Sequence, residues 1–148
     1  MKSVNPYLNF NGNAEEAFNF YKSIFGGEFQ AVQRLSDMPD TPGMPPMPES
    51  ESKKIVHISL PIGKGNTLMA SDVFDVFGQP KAEGNNVHQS LEAESKEEAD
   101  KIFEALSKGG SITMPLAIQF WGSYYGMLTD KFGIQWMMSF NSASSALQ

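Results

Sequence analysis

A chain of 148 residues, 41 % apolar and 19 % charged, has the make-up of one globular domain or of two small halves sharing a core. Its formal charge of −6 argues against a nucleic-acid groove or a binding face for anionic lipid, since both ask for clustered Lys and Arg. With no cysteine it has no disulfide framework, no thiol nucleophile and no thiolate metal site. The first residues, MKSVNPYLNF, lack the apolar run of a secretory signal, and no stretch approaches the roughly twenty apolar residues that span a bilayer. The expectation is a cytoplasmic protein with no membrane and no nucleic-acid partner.

In chain order, Val4 to Phe10 alternates and stops at Asn11-Gly12, which predicts a strand. Asn13 to Phe29 then opens on an N-cap residue with Glu16 three positions on, and closes on Gly26-Gly27. Between these signals Ala17, Phe20, Tyr21 and Ile24 fall on one helical face. Glu28 to Leu35 predicts a second strand. Ser36 to Ser52 carries Pro39, Pro42, Pro45, Pro46 and Pro48, which exclude helix interior and central strand, and reads as a loop bearing Met38, Met44 and Met47. Lys54 to Ile62 and Thr67 to Ser71 read as a hairpin turning at residues 63–66, followed by a linker from Asp72 to Gly84. Val87 to Ala93 predicts a strand. Ser95 to Ser111 predicts a helix with Ser95 as cap, Glu98 at the third position, Ala99, Ile102, Phe103 and Leu106 on one face, and Gly109-Gly110 as stop. Ile112 to Ala117, Trp121 to Thr129 and Gly133 to Phe140 predict three more strands, and residues 141–148 a polar tail.

The order is βαβββ twice, a duplication that spans residues 4–72 and 86–140 of one domain. Glu15-Glu16-Ala17 recurs 82 residues later as Glu97-Glu98-Ala99, while Gly65 to Met69 matches Gly133 to Met137 at a spacing of 68. The first copy therefore holds 14 more residues between helix and last strand, and the proline-methionine loop is the insertion. A segment present in one copy alone suits a loop that closes over a site.

The blocks NPYLNFNGNAEEAFNFYKSIFGGEF, KIVHISLPIGKGNTLMASD, NNVHQSLEAESKEEADKIFEAL and FWGSYYGMLTDKFGIQWMM together resemble the PhnB-like branch of the vicinal oxygen chelate superfamily, with its glyoxalases, bleomycin-resistance proteins and extradiol dioxygenases. The resemblance implies an α+β fold of two βαβββ modules whose curved mixed sheets surround a cavity, completed in a homodimer. It also implies, in metal-bearing members, one His, Glu or Gln ligand from the first and last strand of each module. Here those places fall on Asn5 or Pro6, on Met69, on Val87 or His88, and on Met137. Of these only His88 could bind metal well, since thioethers are poor ligands for hard or borderline divalent ions. This departure from the family's pattern leads to the expectation of no resident cofactor, with a divalent metal as the alternative. A label attached to some branch members, demethylubiquinone methyltransferase-like, is discounted because the chain has no glycine-rich nucleotide loop.

Strand alternation identifies the face turned from the helices. Val56, Ile58, Leu60 and Ile62 form one apolar face, which leaves His57 and Ser59 opposite. Tyr7 and Asn9, Met69 and Ser71, and His88 and Ser90 fall on that second face, with Met137, Trp121 and Tyr124 beside them. The expected substrate-binding set is Tyr7, Asn9, Ser59, Met69, Ser71, Ser90, Trp121, Tyr124 and Met137, around a small apolar or aromatic ligand. His57 and His88 are the candidate general acid and base. The alternative is a divalent-metal lyase or dioxygenase that recruits those two histidines. Glu92, Glu94, Glu97, Glu98 and Asp100 read as a solvated acidic face.

Overall fold

A computed structural model describes residues 1–39 and 48–142. Most of the proline-methionine loop, and its expected role in closing over a ligand, lies outside the described residues, as does the tail beyond residue 142. The chain divides into two compact units, Met1–Ala82 and Glu83–Gln148. Each unit has the βαβββ order, and each builds a four-stranded mixed sheet with one helix.

In the first unit β1 (Tyr7–Phe10) is followed by α1 (Ala14–Phe25), β2 (Ala31–Arg34), β3 (Ile55–Ile62) and β4 (Asn66–Asp72). The sheet order is β1-β4-β3-β2, with β1 parallel to β4 and the other pairs antiparallel. Leu8, Phe10, Ile58, Leu60, Leu68 and Ala70 are buried together with Ala14, Ala17, Phe18 and Tyr21 of the helix. Phe18 sits edge-on between Phe10 (6.3 Å) and Tyr21 (5.6 Å). The buried stripe is thus turned slightly from the expected one, since Phe20 and Ile24 are only half-buried. On β3 the apolar face also departs from strict alternation. Gln33 pairs with His57 and Arg34 with Ile55, so Val56 is an extra, bulged residue and Ile55 takes its place in the core.

The two helices begin differently. Asn13 makes no side-chain cap on α1. Asp72, at the end of β4, reaches back instead: its Oδ1 accepts from the N–H groups of Gly12 (3.1 Å) and Ala14 (2.9 Å), and its Oδ2 from that of Ile55 (2.8 Å). A carboxylate brought by the sheet thus satisfies the donors that a local cap would have taken. The position 68 residues on is Phe140, which cannot accept, and α2 has its own cap.

Arg34 closes the edge of this unit through a paired contact with Glu15 in the first turn of α1, Nη1 donating to Oε1 at 2.9 Å and Nη2 to Oε2. These hydrogen bonds hold the Glu15 carboxyl below its ordinary value against some desolvation, and raise Arg34 in return. A depressed carboxylate stabilises the fold above its unfolded pKa, and that contribution is lost as pH falls through the folded value. Arg34→Gln is therefore expected to cost at most about 1 kcal/mol at neutral pH, because the pair is partly exposed. The gap from the parent should close below the ordinary carboxylate range, as urea midpoints across a pH series would read. A gap that widens on acidification contradicts this assignment.

In the second unit β5 (Gln89–Glu92) leads to α2 (Lys96–Ser107), β6 (Ser111–Ile118), β7 (Tyr124–Thr129) and β8 (Gln135–Phe140), ordered β5-β8-β7-β6. The Ser95 hydroxyl accepts from the Glu98 N–H at 3.0 Å as expected, while the Glu98 side chain reaches the Glu94 N–H at 3.0 Å. Trp136, Met138, Leu128, Ala99, Phe103 and Leu106 form the core. Buried Asp130 organises the β7–β8 turn, accepting from the N–H groups of Phe132 and Ile134 and from the Trp136 indole at 2.9 Å. Expected strand starts retreat at several places: Val4 to Pro6 precede β1, Glu28 to Gln30 precede β2, Lys54 precedes β3, Val87 and His88 precede β5, Trp121 to Ser123 precede β7, and Gly133 and Ile134 precede β8.

Candidate functional site

Register partners on neighbouring strands point to the same side of a sheet. In the first unit the side turned from α1 carries Tyr7 and Asn9, opposite Met69 and Ser71 on β4, then His57 and Ser59 on β3, and Ala31 and Gln33 on β2. All six expected residues of this unit therefore share one face. Tyr7 and His57 meet across it. The phenol oxygen and the His57 Nδ1 share a hydrogen bond at 3.1 Å, and the rings stack with centroids 5.7 Å apart, tilted by 27°. The Ser71 hydroxyl donates to the Asn9 Oδ1 at 3.4 Å. Tyr7 is 46 % exposed and within reach of a ligand, whereas Ser59 is only 4 % exposed and is enclosed by its neighbours. Ser59 thus backs the face and does not present its hydroxyl to a ligand.

In the second unit the side turned from α2 carries Ser90 and Glu92, then Met137 and Ser139, then Tyr125 and Met127. Ser90 and Met137 are on it as expected. His88 stands exposed just ahead of β5. Trp121, in the turn before β7, packs edge-on against Tyr125 (5.4 Å) and Phe120 (4.9 Å).

Tyr124 is a correction. It alternates with buried Leu128 on the helix side, where its hydroxyl donates to Asp100 of α2 and the Lys96 ammonium lies 4.8 Å from its ring centre. The hydrogen bond to Asp100, with some desolvation, raises the Tyr124 phenol. Asp100 is accordingly a partner of the sheet and not part of an idle acidic face. Tyr125 holds the place assigned to Tyr124. A one-residue slip exchanges the two faces of a strand, and the doubled tyrosine gave no signal to choose between them.

The metal implied by the superfamily can be tested against these positions. Of the four implied places, Met69 on β4 and Met137 on β8 carry thioethers, Asn5 or Pro6 precedes β1, and His88 just ahead of β5 offers an imidazole. Among the described residues no three His, Asp or Glu side chains gather to hold an ion. The thioethers of Met69 and Met137 are poor ligands for a divalent metal at two of the four implied places.

Comparison with known proteins agrees with the architecture. The Escherichia coli protein YjdN is 28 % identical over 141 residues, 92 % of this chain and 93 % of its own. The solved structure of PA1353 from Pseudomonas aeruginosa is 37 % identical, covers 95 % of this chain and 98 % of that one, and superposes with a TM-score of 0.82. A PhnB protein from Bacillus cereus is 26 % identical, with coverage of 95 % and 100 % and a TM-score of 0.74. A glyoxalase/bleomycin resistance protein/dioxygenase family enzyme from Burkholderia phytofirmans, 15 % identical with a TM-score of 0.58 over 93 % of this chain and 98 % of that one, shares the fold. The profile of the family described as 3-demethylubiquinone-9 3-methyltransferase matches residues 2–139. The chain therefore belongs to that PhnB-like family, with the glyoxalase/bleomycin-resistance α+β fold.

Proposed function

We propose that this protein binds a small, uncharged, partly aromatic molecule against the helix-free face of its first sheet, without a resident divalent metal. The observation that carries the reading is the Tyr7–His57 pair, two stacked and hydrogen-bonded rings on an open face. Around it stand an amide (Asn9), a hydroxyl (Ser71) and a thioether (Met69), so the imidazole is the candidate general acid or base of this group. A few polar groups set among apolar and aromatic surface suit a small-molecule ligand. On the other unit, Ser90, Met137 and Trp121 offer contacts of the same kind, and His88 is a second titratable contact there. A homodimer is part of the proposal: Phe120 and Ile118, 98 % and 68 % exposed, are apolar groups that a second copy would cover.

Ligand-observed NMR of the chelator-treated protein against matched neutral aromatic and anionic fragments tests this. Neutral aromatics are expected to bind, with affinity falling about tenfold in His57→Ala and about fivefold in Tyr7→Phe, the latter matching one lost hydrogen bond of ~1 kcal/mol. Preference for anions, or hits bound equally well by both variants, would overturn the reading.

A further inference from the structure

Across the second sheet, three methionines stand in one register row. Met114 of β6 pairs with Met127 of β7, and Met127 pairs with Met137 of β8. Met137 and Met127 alternate with buried Trp136, Met138 and Leu128, so the row lies on the side turned from α2. All three side chains are half-buried. From this juxtaposition we infer a thioether site for a soft monovalent cation, Cu(I) in its chemical class, formed by Met114, Met127 and Met137.

The geometry allows it. Neighbouring strands lie about 4.8 Å apart, so the outer two methionines are separated by roughly 10 Å, and unbranched side chains with three rotatable bonds can lean inward over the central one. The chemistry selects it. Thioether sulfur is a soft donor that suits Cu(I) and is a poor match for Mg or Mn, so Met137, unsuited to a hard divalent ion, is suited to a soft one. The bulges on either side of Met114 make the row possible: Ile112 faces Leu128 and Met114 faces the very next residue, Met127, which brings a methionine where strict alternation would have placed residue 113. With no cysteine in the chain, no thiolate competes for the ion. The site shares Met137 with the proposed small-molecule contacts, but Met114 and Met127 are not among them, so a loss of silver binding in Met127→Leu with fragment binding unchanged separates the two.

Silver, a soft monovalent ion of fixed oxidation state, is the probe. The full chain carrying methyl-labelled methionine is titrated with silver nitrate in chloride-free buffer and followed by NMR, with affinity from calorimetry. The expected result is saturation at one ion per chain, with the methyl signals of Met114, Met127 and Met137 moving together. Met127→Leu, which conserves volume, should weaken binding by about tenfold or more. Should that variant fold poorly, Met137→Leu makes the same test. A variant with Met38, Met44 and Met47 all changed to Leu should bind like the parent. Shifts confined to those loop methionines, no saturable binding, or a smaller loss in both Met127→Leu and Met137→Leu would each overturn the site.

Discussion

Gly110→Ala is expected to lower the stability of the second unit by about 4 kcal/mol, above the roughly 1–3 kcal/mol of ordinary overpacking. A Cβ at this position would lie 2.2 Å from the Thr129 carbonyl oxygen, 2.8 Å from the Asp130 carbonyl carbon and 2.9 Å from the Asp130 Cα. All three are backbone atoms at the end of β7, where Ser111 pairs with Thr129, so no rotamer change relieves the contact. The adjacent glycine is the control. Gly109 has φ +77, and its added Cβ would meet only the Lys131 side chain, at 3.3 Å. Gly109→Ala should therefore cost about 1 kcal/mol, the penalty for a left-handed residue. Urea midpoints of the two variants separate these mechanisms, and equal losses would show that strand approach is not what fixes Gly110.

Asp72→Ala is expected to cost about 4 kcal/mol by removing the acceptor for three backbone N–H groups at once, given ~1.5–3 kcal/mol for a hydrogen bond to a charged group and some relief from unburying it. The carboxylate is 2 % exposed and joins the N-terminus of α1, the turn after β1 and the start of β3. Asp72→Asn, of the same shape, turns a donor toward one of those N–H groups and should recover only part of the loss. Hydrogen exchange should show α1 opening ahead of β3 and β4. Asp72→Ala at parental stability would mean that Asn13 can assume the cap, contrary to its observed conformation.

Neither of these residues announced itself in the sequence, for the same physical reason. Asp72 stood where a strand hands over to a linker, and its partners at positions 12, 14 and 55 are distant along the chain. Gly110 read as a helix stop, a role that Gly109 performs with its positive φ, while Gly110 is needed for the close approach to the end of β7, about twenty residues further along the chain. What was legible was local: the cap-and-glycine punctuation around both helices, the hairpin glycines, and the alternation that set Tyr7, Asn9, His57, Met69 and Ser71 on one face. Alternation failed where the sheet bulges, at Val56, because a bulge breaks period two without a side-chain signature. The side of Tyr124 was not legible, because two identical residues in succession satisfy either register. Exposure was not legible at all, which is why Ser59 was expected at the surface of the site.

The Tyr7–His57 face carries the functional account, and its independence from divalent metal is the claim most open to a direct check. Take the tightest neutral ligand from the fragment screen and measure its affinity for the purified protein before chelation, after chelation, and after adding back zinc or manganese. The account predicts one affinity throughout and substoichiometric metal in the protein as isolated. Near-stoichiometric metal, with binding abolished by the chelator and restored by the ion, would contradict it.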